Sequence, residues 1–134
     1  AQIAMGANPA QTLKAIKEAE AYDGPSLIVA YAPCINHGIR AGMNNSMPET
    51  KKAVEAGYWN LYRFNPAAPE GTNPLTIDSK KPVSDYKEFL MGEVRYRTLK
   101  QANPARADEL FDIAAKKAEE RYESLVRRRD SYEK

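Results

Sequence analysis

The chain has 134 residues, 43% of them hydrophobic and 28% charged, and its 20 basic side chains against 18 acidic ones leave a net charge of +2. That balance describes about one ordinary globular domain, excludes a disordered or fibrous chain, and is too mild to call for nucleic acid as a partner. One cysteine excludes an intrachain disulfide, no apolar run approaches the roughly 18 residues that span a bilayer, and the amino terminus lacks a basic start, so a soluble, cytoplasmic protein with no membrane partner is expected.

In chain order, Ile3-Ala4-Met5-Gly6 is a short apolar start, and Asn8-Pro9-Ala10-Gln11 opens a helix with Asn8 as N-cap, Pro9 at N1 and Gln11 at N3. Leu13, Ile16, Ala19 and Ala21 or Tyr22 give that helix an apolar face, and Asp23-Gly24-Pro25 stops it. The run from Pro25 to Pro33, Ser26-Leu27-Ile28-Val29-Ala30-Tyr31-Ala32 between two prolines, reads as a buried strand. Strand, helix and strand in some thirty residues imply a right-handed crossover between parallel strands.

Gly38 to Asn45 fits no regular element, whereas Ser46-Met47-Pro48-Glu49 reads as a capping box leading into a helix over Lys51 to Ala56, with Gly57 at C′. Tyr58-Trp59-Asn60-Leu61-Tyr62-Arg63-Phe64 is rich in strand formers and stops at Asn65-Pro66. A connection broken by Pro69, Pro74 and Pro82 follows, long enough to lie across another surface. Asp85 and Glu88 then open a helix carrying Phe89, Leu90 and Val94. Asn103-Pro104 opens a last one with a stripe through Ala107, Leu110, Phe111, Ala114, Ala118, Tyr122 and Leu125.

The residues with chemistry to offer are few. Cys34 follows the apolar run, and open parallel sheets bind ligands just beyond the carboxyl ends of their strands. On residue type and position alone it reads first as a small buried hydrophobe. As a nucleophile it needs a base; His37 is the chain's one histidine, and no third orienting residue stands out. Two such residues cannot make a four-ligand zinc site, and an iron-sulfur cluster could use Cys34 only with thiolates from elsewhere. Asn36-His37-Gly38 reads as turn chemistry, the aromatic group around Trp59 as core rather than a base-stacking platform, and Arg127-Arg128-Arg129 as a solvated helix end suited to the dipole.

The wording of the chain adds what pattern does not. Gln2-Ile3-Ala4-Met5-Gly6-Ala7, Tyr31-Ala32-Pro33-Cys34-Ile35-Asn36-His37-Gly38-Ile39, Gly42-Met43-Asn44-Asn45-Ser46, Lys51-Lys52-Ala53-Val54, Gly57-Tyr58-Trp59-Asn60-Leu61-Tyr62-Arg63 and Asp85-Tyr86-Lys87-Glu88-Phe89-Leu90 together resemble the carboxyl-terminal part of the pyruvate:ferredoxin (flavodoxin) oxidoreductases. The resemblance covers most of residues 1 to about 100 and is looser over the last helix. Met47-Pro48, where the family commonly has glutamine after the serine, bears only on the local helix start.

That resemblance implies an α/β fold: residues 1–66 as the last strands and helices of a thiamine-diphosphate-binding domain with a parallel sheet, 67–84 as a proline-rich connection, and 85–134 as a helical tail. It implies a homodimeric, oxygen-sensitive enzyme that decarboxylates pyruvate oxidatively on thiamine diphosphate and Mg2+, passes the acetyl group to coenzyme A, and sends electrons through 4Fe-4S clusters to ferredoxin or flavodoxin. Cys34 matches the family's fourth ligand to one 4Fe-4S cluster, the other three lying upstream and outside this chain. The family's Asn-Thr-Gly-Gly type motif for magnesium and diphosphate is absent, so no catalytic residue is assigned, and the segment alone is expected to be inactive. The alternatives are a stand-alone α/β binding module docking a partner, and a thiol enzyme built on Cys34 and His37.

Overall fold

A computed structural model describes residues 1–132. Helix α1 (Pro9–Ala21) starts where its caps place it: the Asn8 side chain accepts from the Gln11 amide at 2.9 Å, and Pro9 fills the first turn. It is the crossover between β1 (Gln2–Ile3) and β2 (Val29–Ala30), which pair in parallel as expected. Its buried face is Gln11, Thr12 and Ala15, while Leu13 and Ile16, the expected core face, are exposed. The cause is polar: the Gln11 amide donates to the Gln2 carbonyl at 3.2 Å and to Asp78 at 3.1 Å, turning that side of the helix onto the sheet.

The sheet has the order β2-β1-β3-β4 and is mixed rather than all-parallel, with β3 (Tyr62–Phe64) antiparallel to β1 and β4 (Leu75–Ile77) antiparallel to β3. After α2 (Ser46–Glu55), Gly57 adopts φ +74, a left-handed value that favours glycine, and the returning chain lays Tyr62 opposite Gln2. Strand β4 forms inside the segment expected as an irregular proline-rich connection. The Asn73 side chain accepts from the Leu75 amide, and the Asn65 amide donates to the Pro74 carbonyl, each at 2.9 Å, which closes a hairpin from β3. The apolar run before Cys34 is also not the buried strand expected: only Val29–Ala30 pairs, at a sheet edge with one neighbour, and both residues are exposed.

The densest packing lies between helices. Asp85 caps α3 (Tyr86–Gly92) by accepting from the amides of Lys87 and Glu88, and Asn103 caps α5 (Pro104–Asp130). Between them the expected continuous helix breaks at Glu93, whose extended backbone ends α3 and starts α4 (Val94–Ala102). Ala53 of α2 and its C-cap Ala56, Phe89 and Leu90 of α3, and Ala107 and Phe111 of α5 form the buried cluster, flanked by Tyr31, Tyr58, Trp59, Tyr96 and Leu99. The α5 stripe is buried at Ala107, Phe111 and Ala118 and opens to solvent at Leu110. The expected Ser46–Glu49 capping box is not made: Asn45 is the N-cap, the Ser46 hydroxyl donates to the Met43 carbonyl, and Glu49 turns inward and is buried.

Across the sheet, Arg63 ties three elements together. Its Nε and Nη2 donate to the two oxygens of Asp78 at 2.9 Å, and its Nη1 meets both oxygens of Glu18 at 2.6 and 2.7 Å. The bidentate bonds to Asp78 hold the guanidinium pKa above its ordinary value, against the effect of burial. Among the described residues no helix is long and apolar enough to cross a membrane.

Candidate functional site

Cys34 is a free thiol and it is exposed, so the reading of a small buried hydrophobe does not hold. Its position follows from the strand before it and the turn after it. The Tyr31 amide donates to the Ile3 carbonyl at 3.0 Å, continuing the β1–β2 pairing, and the amides of His37 and Gly38 donate to the Cys34 carbonyl at 3.1 and 2.9 Å. Gly38 sits at φ +70, where a side chain would be strained, and an added Cβ would lie 3.2 Å from Val94 Cγ2. That close approach lets the turn dock on the break between α3 and α4. There the Arg40 amide donates to the Gly92 carbonyl at 2.8 Å and the Val94 amide to the Gly38 carbonyl at 3.2 Å, bridging Ile39 with Glu93. The carboxyl-terminal helices therefore fix the thiol's loop.

The thiol lines a cavity of about 190 Å³ together with Tyr31, Pro33, His37, Tyr58, Trp59, Glu93 and Arg95. Its aromatic wall is tightly braced: Tyr31 stacks on Trp59 at 5.5 Å and meets Tyr58 edge-on at 5.9 Å, and the Trp59 indole N–H donates to the Ile3 carbonyl at 2.9 Å. The charged wall is Glu93 and Arg95. Glu93 is 2% exposed, and its Oε1 makes no hydrogen bond. Arg95 Nη2 donates to the Tyr58 hydroxyl at 2.8 Å, that hydroxyl shares a 2.9 Å hydrogen bond with Tyr96, and the guanidinium stacks over the Tyr96 ring at 4.7 Å. Arg95 Nε lies 3.7 Å from Glu93 Oε2, too far for a hydrogen bond, so the two charges attract while Nε and Glu93 Oε1 make no hydrogen bond.

Burial raises the Glu93 carboxyl above its ordinary pKa; Arg95 opposes that rise and buried Glu49 adds to it. Burial likewise pushes the Tyr31 and Tyr96 phenols well above theirs. Both tyrosines therefore stay neutral at ordinary pH, and the walls of the cavity carry one carboxyl and one guanidinium beside the thiol.

Of the residues singled out from sequence, Cys34 and His37 are brought to this cavity together, and Tyr58 and Trp59 form its wall. Phe64 lies apart, 6.0 Å from the Tyr132 ring. Arg127 pairs with Glu123, and Arg129 with Asp130, so the basic run is a helix end among acids. Glu93 and Arg95 were not anticipated. The signal for Glu93 was present: it stands three residues after Leu90 and four after Phe89, a carboxylate on the apolar face of its own helical pattern. Among the described residues no group of three or more His, Cys, Asp or Glu side chains could hold a metal ion. Cys34 is the one cysteine of the sequence, whereas a structural zinc site or a 4Fe-4S cluster takes four ligands.

No family model matches the chain. Over 124 residues, 92% of the chain, it is 56% identical to the pyruvate:ferredoxin oxidoreductase of Moorella thermoacetica, of which it covers 10%. It is 56% identical, again over 124 residues and 92% of its length, to the pyruvate-flavodoxin oxidoreductase of Enterobacter agglomerans, of which it covers 11%. A mitochondrial NADP+ pyruvate dehydrogenase of Euglena gracilis is 54% identical over 102 residues, 75% of the chain and 6% of that protein. The chain thus spans about a tenth of the length of the first two relatives.

Proposed function

We propose, from the premise that this chain belongs to the pyruvate:ferredoxin and pyruvate-flavodoxin oxidoreductases as a segment of such an enzyme, that it contributes one cluster ligand, Cys34, and the scaffold that holds it. In this reading the remaining segments bind thiamine diphosphate with Mg2+, pyruvate and coenzyme A, supply the other three ligands, and form the homodimer that reduces ferredoxin or flavodoxin. The observation that carries it is a single exposed thiol, fixed by its own turn, with no companion ligand set among the described residues. A 4Fe-4S cluster, when bound, stores and passes single electrons. Cys34 would hold one iron as its thiolate, with Tyr58, Trp59 and Pro33 forming apolar and aromatic walls of the cavity beside it.

The apolar residues around the loop support a segment that is covered by further polypeptide. Leu27 is 75% and Ile35 79% exposed, on either side of Cys34, and a stand-alone module would leave that surface in water. A thiol enzyme is less well supported, because Glu93 acts on His37 through its charge and has Tyr31 rather than His37 as its hydrogen-bond partner, so it does not orient the imidazole as a base for Cys34. The test is the full-length enzyme and its Cys34→Ala variant, prepared without oxygen. Loss of one cluster's iron per subunit, with most of the pyruvate-dependent reduction of a low-potential acceptor, is expected. Unchanged iron and activity would overturn the assignment.

A further inference from the structure

We infer that the Glu93–Arg95 pair sets the reduction potential of the iron-sulfur cluster that Cys34 helps to hold, Arg95 raising it and Glu93 lowering it. The inference rests on the ligand reading above and goes beyond it, since the pair binds no iron and belongs to neither the thiol's strand nor its turn.

Three observations carry it. Glu93, Arg95 and Cys34 all line one cavity of about 190 Å³, which places the charged pair in the immediate surroundings of the thiol's residue. Glu93 is 2% exposed and its Oε1 makes no hydrogen bond, so its carboxyl is shielded from bulk water, while Arg95, with Nε likewise unbonded, is about a third exposed and is screened more. Both are also held in place relative to the thiol. The Ile39–Glu93 bridge ties the Glu93 backbone to the loop that carries Cys34, and Arg95 is pinned by the Tyr58 hydroxyl at 2.8 Å and the Tyr96 ring at 4.7 Å. A fixed, poorly screened charge beside a ligating sulfur is one of the levers that move a cluster's potential.

The sign follows from electron bookkeeping. Reduction adds one electron, drawn from the 2-oxo acid oxidised elsewhere in the enzyme and passed on to ferredoxin or flavodoxin, and no bond is made or broken at either side chain. The added negative charge is stabilised by the guanidinium and opposed by the carboxylate. Removing Arg95 therefore makes reduction harder, and removing the Glu93 charge makes it easier.

The experiment is a redox titration of the full-length enzyme followed by electron paramagnetic resonance, reading the signal that Cys34→Ser alters. Arg95→Gln should lower that midpoint enough to change the reduced-to-oxidised ratio tenfold at fixed potential, about 59 mV for one electron, and Glu93→Gln should raise it. Arg95→Lys, which keeps the charge, should recover most of the loss. Midpoints of Arg95→Gln and Glu93→Gln equal to the parent's, with iron content intact, would overturn the inference while leaving Cys34 as a ligand. A Cys34→Ser enzyme with full iron and unaltered signals would instead overturn the ligand reading itself. If Arg95→Gln is recovered without iron, Glu93→Gln decides alone: a raised midpoint supports the inference, and an unchanged one ends it.

Discussion

Behind Cys34 the chain closes on itself, and in front of it the chain stays open. On the closed side, Phe89, Leu90, Ala107 and Phe111 pack against Ala53 and Ala56, with the ring of Tyr58 4.9 Å from that of Phe89. On the open side, Leu27 and Ile35 are exposed, α1 turns Leu13 outward at 55% exposure, and β2 has a neighbour on one edge only. The closed side is held by apolar burial among helices. The sheet side of the open region is held by polar clamps, Arg63 between Asp78 and Glu18, and Gln11 between Gln2 and Asp78. The chain, which spans about a tenth of its relatives, builds one buried core and leaves a second, apolar surface exposed, and the thiol stands where the two meet.

The largest test of that contrast is Phe89→Ala. The ring is 4% exposed at the centre of the aromatic cluster, and deleting it should cost about 3–5 kcal/mol in urea unfolding of the chain. A loss below about 1 kcal/mol would show that the closed side is not a well-packed core. Next in size is Arg63→Met, which leaves Asp78 largely buried without its bidentate partner. The expected loss is about 2–3 kcal/mol, short of the roughly 3–5 of a fully buried pair because Glu18 remains partly solvated. An unchanged urea midpoint would mean that the sheet side does not depend on its clamp.

The elements written in local chemistry were legible, and those set by tertiary competition were not. Asn8, Asp85 and Asn103 cap the helices their sequences announce, and Gly57 takes the left-handed conformation its place after a helix requires. The inner face of α1 was misread because Gln11 finds two partners 9 and 67 residues away, a pairing no local pattern carries. Strand β4 hid in a proline-rich stretch because Pro74 immediately precedes it without occupying a ladder position. The helix break at Glu93 follows Gly92, a single glycine inside a helical pattern, and is held by the distant pairing of Glu93 with Ile39, which no local pattern carries. Of the site, Cys34 and His37 were readable as residue types; the ion pair facing them was not, because its meaning depends on burial.

Glu93 offers a smaller test on the closed side. Its carboxyl pKa is raised above the usual 4.5 by burial, so between 4.5 and the folded value the folded chain binds more protons than the unfolded one. That residue's contribution is therefore favourable at low pH and is lost as pH rises through the window. Glu93→Gln, which resembles the protonated acid, should be at least as stable as the parent at pH 7, with the difference shrinking as pH falls to about 4.5. A variant that is less stable at pH 7 and equal at pH 4.5 would mean that the Arg95 attraction outweighs burial.

The smallest expected effect is the most discriminating between the two sides. Leu27→Ser replaces an apolar side chain already 75% exposed at the edge beside β2, so urea unfolding of this chain should change by less than about 0.5 kcal/mol. In the full-length enzyme, if further polypeptide covers that edge, the same substitution removes a buried leucine and should cost about 1.5–3 kcal/mol. The comparison separates what this chain supplies around Leu27 from what further polypeptide adds. Equal small effects in both would show that the edge faces solvent in the whole enzyme, and the exposed run before Cys34 would then need another reason. Unequal effects would place the covering polypeptide against β2, on the same side as the thiol that is proposed to share its cluster with it.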